Sequence, residues 1–260
     1  MMNETIERRM KSTSATLLGL VLMIPSLSEA QKHAPITFTT KADVVSSYVW
    51  RGMYESGLSV QPTLSTAAGN FSLTAWGSVD ISGKGYKEAD FTLAYSIKRA
   101  TFSLTDYWWG GECGIYNNRK DGKNNYFQFN NHCTDHILEA GISYLLPLRK
   151  CPLSLSWYTM FWGNDKKDNG QSASVNAYSS YAEISAPLEV QNTTLLFSLG
   201  FSPFESPTNY KNAGFAVTNI SVRASRNISI NDKYSLPIFT QLVWNPNRED
   251  VHFVFGITLQ

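Results

Sequence analysis

Twelve segments of eight to twelve residues alternate apolar with small or polar side chains, and this recurrence limits the chain to folds built from paired β-strands. They fall at roughly 42–52, 58–67, 70–80, 89–98, 100–109, 136–146, 152–162, 177–188, 192–202, 215–229, 235–245 and 250–259. In the last, Val251, Phe253, Phe255, Ile257 and Leu259 share one face, and His252, Val254, Gly256 and Thr258 share the other. In the third, Phe71, Leu73, Ala75, Gly77 and Val79 oppose Ser72, Thr74, Trp76, Ser78 and Asp80. A soluble sandwich turns the apolar face inward, whereas a membrane barrel turns it toward lipid and keeps the small polar face in its lumen.

Three features favour the barrel. Strands of about ten residues suit a tilted membrane strand of ~9–11, while soluble strands run nearer ~5–6. Aromatic residues gather near strand ends (Tyr48, Trp50, Tyr107, Trp108, Trp109, Trp157, Phe161, Trp162 and Trp244), where interfacial girdles lie. Connections also alternate in length. Turns after even strands are short, as at Ala68-Gly69, Lys98-Arg99 and Val190-Gln191, and those after odd strands are mostly long, as at 83–88, 110–135, 163–176 and 203–214. The expectation is an all-β fold: a single up-and-down antiparallel transmembrane β-barrel of about 12 strands over 42–260, its short turns on the periplasmic side.

Residues 1–30 read as a cleavable signal peptide. Arg8, Arg9 and Lys11 precede an apolar stretch from Ala15 to Ile24, Pro25 breaks it, and Ser28-Glu29-Ala30 offers small residues at a cleavage site. Met10 is an alternative start. The apolar run is about half of the ~20 residues a spanning helix needs. Residues 31–41 then form a short N-terminal extension. Charged residues make up only 17% of the chain and the formal net charge is +1, which gives no reason to expect nucleic acid as a partner. The expected partners are outer-membrane lipid, the barrel-insertion machinery acting on 251–260, and small polar solutes.

The alternation assigns ionisable residues to the lumen. Arg51, Gln61, Trp76, Asp80, Asp90, Glu139, Glu183 and Arg223 are the candidates for a constriction, with Arg51 and Arg223 facing carboxylates. Two readings use these same residue types: a polar conduit for solutes, or an internal ion-pair network that fills a narrow barrel. Asp106 breaks the alternation of its strand and falls on the lipid side, which calls for a bulge or a position above the membrane. An enzyme is not expected. Of the mature histidines His33, His132, His136 and His252, none has a neighbouring serine of the kind lipid hydrolases use. No cofactor or metal motif occurs, and Cys113 and Cys133 are a possible disulfide, with Cys151 left over.

Residues 46–52 (SSYVWRG), 61–62 (QP) and 71–80 (FSLTAWGSVD) resemble the N-terminal signature of the TorF-related group of bacterial outer-membrane β-barrel proteins of unassigned function. Tyr48, Trp50, Arg51, Gly52, Gln61, Trp76, Gly77, Ser78 and Asp80 carry the likeness, which spans about forty residues. The resemblance implies an outer-membrane barrel without enzymatic activity and supplies no substrate. Arg51, Gln61, Trp76, Ser78 and Asp80 share the expected lumenal face of the first strands, where either an Arg51–Asp80 ion pair packs under Trp76 or these residues simply lock the first hairpins.

Overall fold

A computed structural model describes residues 35–260 apart from 84–86, 111–125, 130–133, 149–151, 171–173 and 233. The proposed signal peptide and all three cysteines therefore lie outside the described residues. The described strands, in chain order, are β1 (Thr37–Val45), β2 (Tyr48–Trp50), β3 (Met53–Ser56), β4 (Ser59–Ala68), β5 (Phe71–Asp80), β6 (Lys87–Ile97), β7 (Ala100–Gly110) and β8 (His136–Leu145). They continue as β9 (Ser154–Gly163), β10 (Lys166–Asp168), β11 (Ser174–Asn176), β12 (Ser180–Val190), β13 (Thr193–Ser202), β14 (Ala216–Asn231), β15 (Tyr234–Asn245) and β16 (Asp250–Leu259).

Twelve of these strands close a barrel in the order β1-β16-β15-β14-β13-β12-β9-β8-β7-β6-β5-β4, each antiparallel to its neighbours. The pairs β2–β3 and β10–β11 are small separate hairpins set in the connections. Closure removes the free edges that an open sheet would expose. The seam joins β1 to β16 from Ala42↔Leu259 to Val45↔Gly256.

The period-2 pattern sorts side chains inside out relative to a soluble barrel. Phe71, Leu73, Leu93, Leu104, Phe197 and Phe253 are exposed on the outer face, Phe253 at 66%. The buried set includes Ser59, Gln61, Ser78, Glu88, Asp90, Glu139 and Asn219. Register places these polar residues on one continuous inner surface, since Gln61 neighbours Asp43 on β1, and Ser78 faces Glu88 across β5–β6. At one end the strands are joined by tight turns, such as Lys98-Arg99 and Gln191-Asn192, and at the other by long connections.

Eleven of the twelve expected segments fall on wall strands to within a few residues; the first does not. Residues 42–52 were expected to form one strand, but β1 covers Thr37–Val45 and takes in much of the expected N-terminal extension. Thr37 to Lys41 carry only one large apolar residue, Phe38, so their local pattern is weak. Pairing with β4 from Thr37↔Ala67 to Lys41↔Thr63 holds them in the sheet. At Ser46 the chain leaves the wall: its N–H donates to the Phe255 carbonyl (2.8 Å), and its hydroxyl accepts from the Phe255 N–H (2.9 Å). Tyr48 and Trp50 continue the apolar spacing of Val44 but belong to the inward hairpin β2–β3.

Candidate functional site

The hairpin between β1 and β4 is pinned by its own turn chemistry. Trp50 pairs with Met53, so Arg51 and Gly52 form the two-residue tip. Both have positive φ, 51° and 84°, as a type I′ turn requires. Gly52 lies so close to β14 that a Cβ there would overlap the carbonyl oxygen of Thr218. On the neighbouring strand, Asn245 donates its side-chain amide to the Gly52 carbonyl at 3.0 Å. Only glycine satisfies both the left-handed backbone and this approach.

From that tip Arg51 reaches β8, which lies across the ring from the seam. Its guanidinium grips Glu139 with two hydrogen bonds, 2.6 and 2.8 Å, and donates a third to the Tyr210 hydroxyl at 2.7 Å. Glu139 also accepts from the Tyr107 hydroxyl at 3.0 Å. Trp50, Tyr158 and Tyr181 surround the cation, their ring centres 4.4–4.8 Å from its central carbon. The pair is nearly dry, with side-chain exposures of 11% and 2%. A buried charge without a partner is strongly unfavourable, so this fork-to-fork geometry is what permits both ions to sit in the lumen.

Packing reinforces the clamp. Met53, Tyr181 and Tyr210 form one buried cluster, and Tyr107, Ile137 and Met160 form another, with Trp50 touching both. Tyr210 comes from the connection after β13, which is braced by Ser206 and Asn212 exchanging backbone hydrogen bonds. At the hairpin base, Asp80 accepts from the backbone N–H groups of Gly57 (3.2 Å) and Ser82 (2.7 Å). Toward the short turns the inner surface changes character. Hydroxyls pair across strands at 2.9–3.0 Å, as in Ser65–Thr74, Ser96–Thr101 and Ser143–Ser156.

Above the clamp, at the long-connection end, a cavity of about 330 Å³ opens over Trp50, Tyr54, Glu55, Trp109, Asn209 and Lys211, among others. Burial pushes the Glu55 carboxyl up to about 8; Glu88 adds to the rise and Lys211 opposes it.

The lumen candidates named from sequence divide into three groups. Arg51 and Glu139 meet directly. Glu183 accepts from Tyr181 (2.6 Å) and Asn219 (3.3 Å), and Gln61 donates to Ser78 (3.3 Å). Asp90 lies beside Glu88 on the inner face of β6, and Trp76 packs against Tyr48 at 5.5 Å. Three expectations require correction. Arg51 is on the hairpin rather than on a wall strand, so its partner is Glu139 and not Asp80, and Trp76 covers no ion pair. Arg223 faces the Phe239 ring at 3.5 Å instead of a bonded carboxylate, with Asp43 as its electrostatic neighbour. Of the aromatics assigned to girdles, Tyr48, Trp50, Tyr107 and Trp109 turn inward, and the exposed ones include Trp157, Phe161 and Trp244.

Asp106 does fall on the outer face, but without a bulge, because β6–β7 pairing runs unbroken through Phe91↔Asp106. It is hydrogen-bonded to His136 Nδ1 at 2.9 Å, beneath Tyr126 and Phe129. The other ring nitrogen of His136 meets the Tyr126 carbonyl, so neither nitrogen is directed at a nucleophile. Sequence reasoning passed over Glu88, Tyr158, Tyr181 and Tyr210. Glu88 ends the connection expected over 83–88, and carrying the alternation two residues back from Asp90 puts it on the same face, whereas Tyr210 lies in a connection and carries no periodic signal.

No family profile and no curated protein matches this chain. Among solved structures it is similar to the porin NanC, with 7% identity and a TM-score of 0.47 over 85% of this chain and 98% of that one. An outer-membrane channel from Pseudomonas putida F1 is similar at 13% identity and a TM-score of 0.41, over 90% of this chain and 97% of that one. CdiB from Acinetobacter baumannii is similar at 11% identity and a TM-score of 0.36, over 89% of this chain and 60% of that one.

Proposed function

We propose that this chain is an outer-membrane, porin-like barrel that passes small polar solutes through a lumen narrowed by the β2–β3 hairpin. The carrying observation is the contrast between the two faces of the wall. Phe, Leu and Val are exposed outside a closed twelve-strand barrel, while hydroxyls, carboxylates and amides line the inside. Exposed apolar side chains on this scale are unfavourable in water and favourable against lipid, where a closed barrel also satisfies every backbone hydrogen bond. The likeness of residues 46–80 to the TorF-related group supports the same placement. A hairpin held by one ion pair, a few hydrogen bonds and ring contacts is a constriction that can yield, unlike a continuous apolar core.

A second reading has its own observation. The Arg51–Glu139–Tyr210 network is complete and nearly dry, which suits a structural barrel closed for good. Single-channel recording in planar bilayers separates the two. The channel reading expects a small, stable current from the full chain and a larger one from Arg51→Ala. Silence from both, with the barrels folded, overturns it in favour of the closed barrel. Neither reading assigns a catalytic step. The closing strand β16 is the expected recognition element for insertion machinery, and deletion of 251–260 should abolish assembly into outer membranes.

A further inference from the structure

The acidic and basic side chains of the inner surface are unequally paired. Two of its cations already have a carboxylate: Arg51 is matched by Glu139 at 2.6 Å, and Lys41 by Asp43 at 3.4 Å. Arg223 lies against an aromatic ring. Glu183, by contrast, takes hydrogen bonds only from the neutral donors Tyr181 and Asn219 among the described residues, so no cation cancels it. Glu88 and Asp90 sit two residues apart on β6, where the strand period turns both to the lumen. They are 5% and 8% exposed; Glu88 is hydrogen-bonded to Tyr48, Trp109 and Asp90, and one carboxylate oxygen of each residue has no hydrogen-bond donor among the described residues.

A buried acceptor without a donor is unfavourable, and a passing cation relieves that deficit. Trp109, on the neighbouring strand β7, lines both the Glu88 side of the lumen and the cavity above the hairpin, so the two spaces adjoin. Carboxylates in a narrow, low-dielectric passage focus their field along it and raise the local concentration of positive ions.

We infer that the passage prefers cations over anions and that Glu88 and Asp90 are its selectivity-determining residues. This rests on the channel reading. The test is the zero-current potential of the full-length protein in a planar bilayer under a KCl gradient. The expected potassium-to-chloride permeability ratio is roughly ten. Glu88→Gln combined with Asp90→Asn should bring that ratio toward one, while Glu189→Gln at the short-turn end should leave it unchanged. Heat-modifiable migration of each variant confirms folding, and either single substitution serves if the double variant does not fold. A wild-type barrel that conducts but prefers chloride, or does not discriminate, overturns the inference and leaves the channel reading standing. So does a folded double variant that keeps the wild-type ratio. Absence of any current overturns both.

Discussion

The two ends of the lumen are built on different principles. Toward the short turns, serine and threonine hydroxyls pair across strands, most of their side chains remain half-exposed, and no segment crosses the space among the described residues. Toward the long connections, the same wall carries Glu139, Tyr158, Tyr181 and Tyr107, which close around a hairpin from the other side. The first half needs only the antiparallel ladder to hold it. The second depends on a few long-range contacts whose loss should open the lumen without dissolving the wall. The wall and the hairpin that obstructs it are thus separable parts of one barrel.

The sharpest way to break this contrast is at the hairpin tip. Gly52→Val adds a β-branched residue at a left-handed φ and drives its side chain into the Thr218 carbonyl. The hairpin should leave the lumen while the barrel still folds, giving a several-fold rise in single-channel conductance and new protease cleavage within 46–58. Unchanged conductance with a protected hairpin would show that the tip is not what holds it. Next in size is Glu139→Ala, which strands the Arg51 guanidinium in a nearly dry site. Breaking one partner of a buried pair costs about 3–5 kcal/mol, so thermal denaturation in detergent should shift down clearly. Arg51→Glu combined with Glu139→Arg should recover part of that loss if the pair itself matters.

A smaller effect tests the mouth. The Glu55 carboxyl is held up to about 8, so the folded chain keeps a proton that the unfolded chain releases near pH 4 to 5. The stability from this group is full below the unfolded value and is lost as pH rises through about 8. Melting temperature should therefore fall between pH 5 and pH 9, and Glu55→Gln should flatten that slope; an identical slope in the variant would remove Glu55 as its source. The smallest effect belongs to the short-turn half. Ser65→Ala removes one cross-strand hydroxyl pair with Thr74, worth about 0.5–1.5 kcal/mol, and should leave conductance alone. A large change in current there would erase the distinction between the halves.

Much of this was legible in the sequence because a strand's side-chain period is local. Phe71, Leu73 and Val79 against Ser72, Ser78 and Asp80 state which face is which without knowledge of any partner strand. The same alternation placed Gln61, Asp90, Glu139 and Glu183 in the lumen. It failed at residues 46–52, where Tyr48 and Trp50 keep the right spacing but leave the wall. Nothing local distinguishes an apolar run that pairs in the sheet from one that folds into the lumen. Asp106 shows the same limit: its outward position followed from spacing, but its hydrogen bond with His136 comes from a residue thirty positions away.

By itself, then, the sequence determined a closed antiparallel barrel, apolar outside and polar inside, since ten-residue alternation and alternating connection lengths depend only on neighbours along the chain. Tertiary structure alone decided which charges meet. Arg51 and Glu139 are 88 residues apart, and Arg51 and Tyr210 are 159 apart. Such pairings depend on barrel closure and on a two-residue turn that carries a guanidinium across the lumen, and a one-dimensional pattern holds no record of that distance.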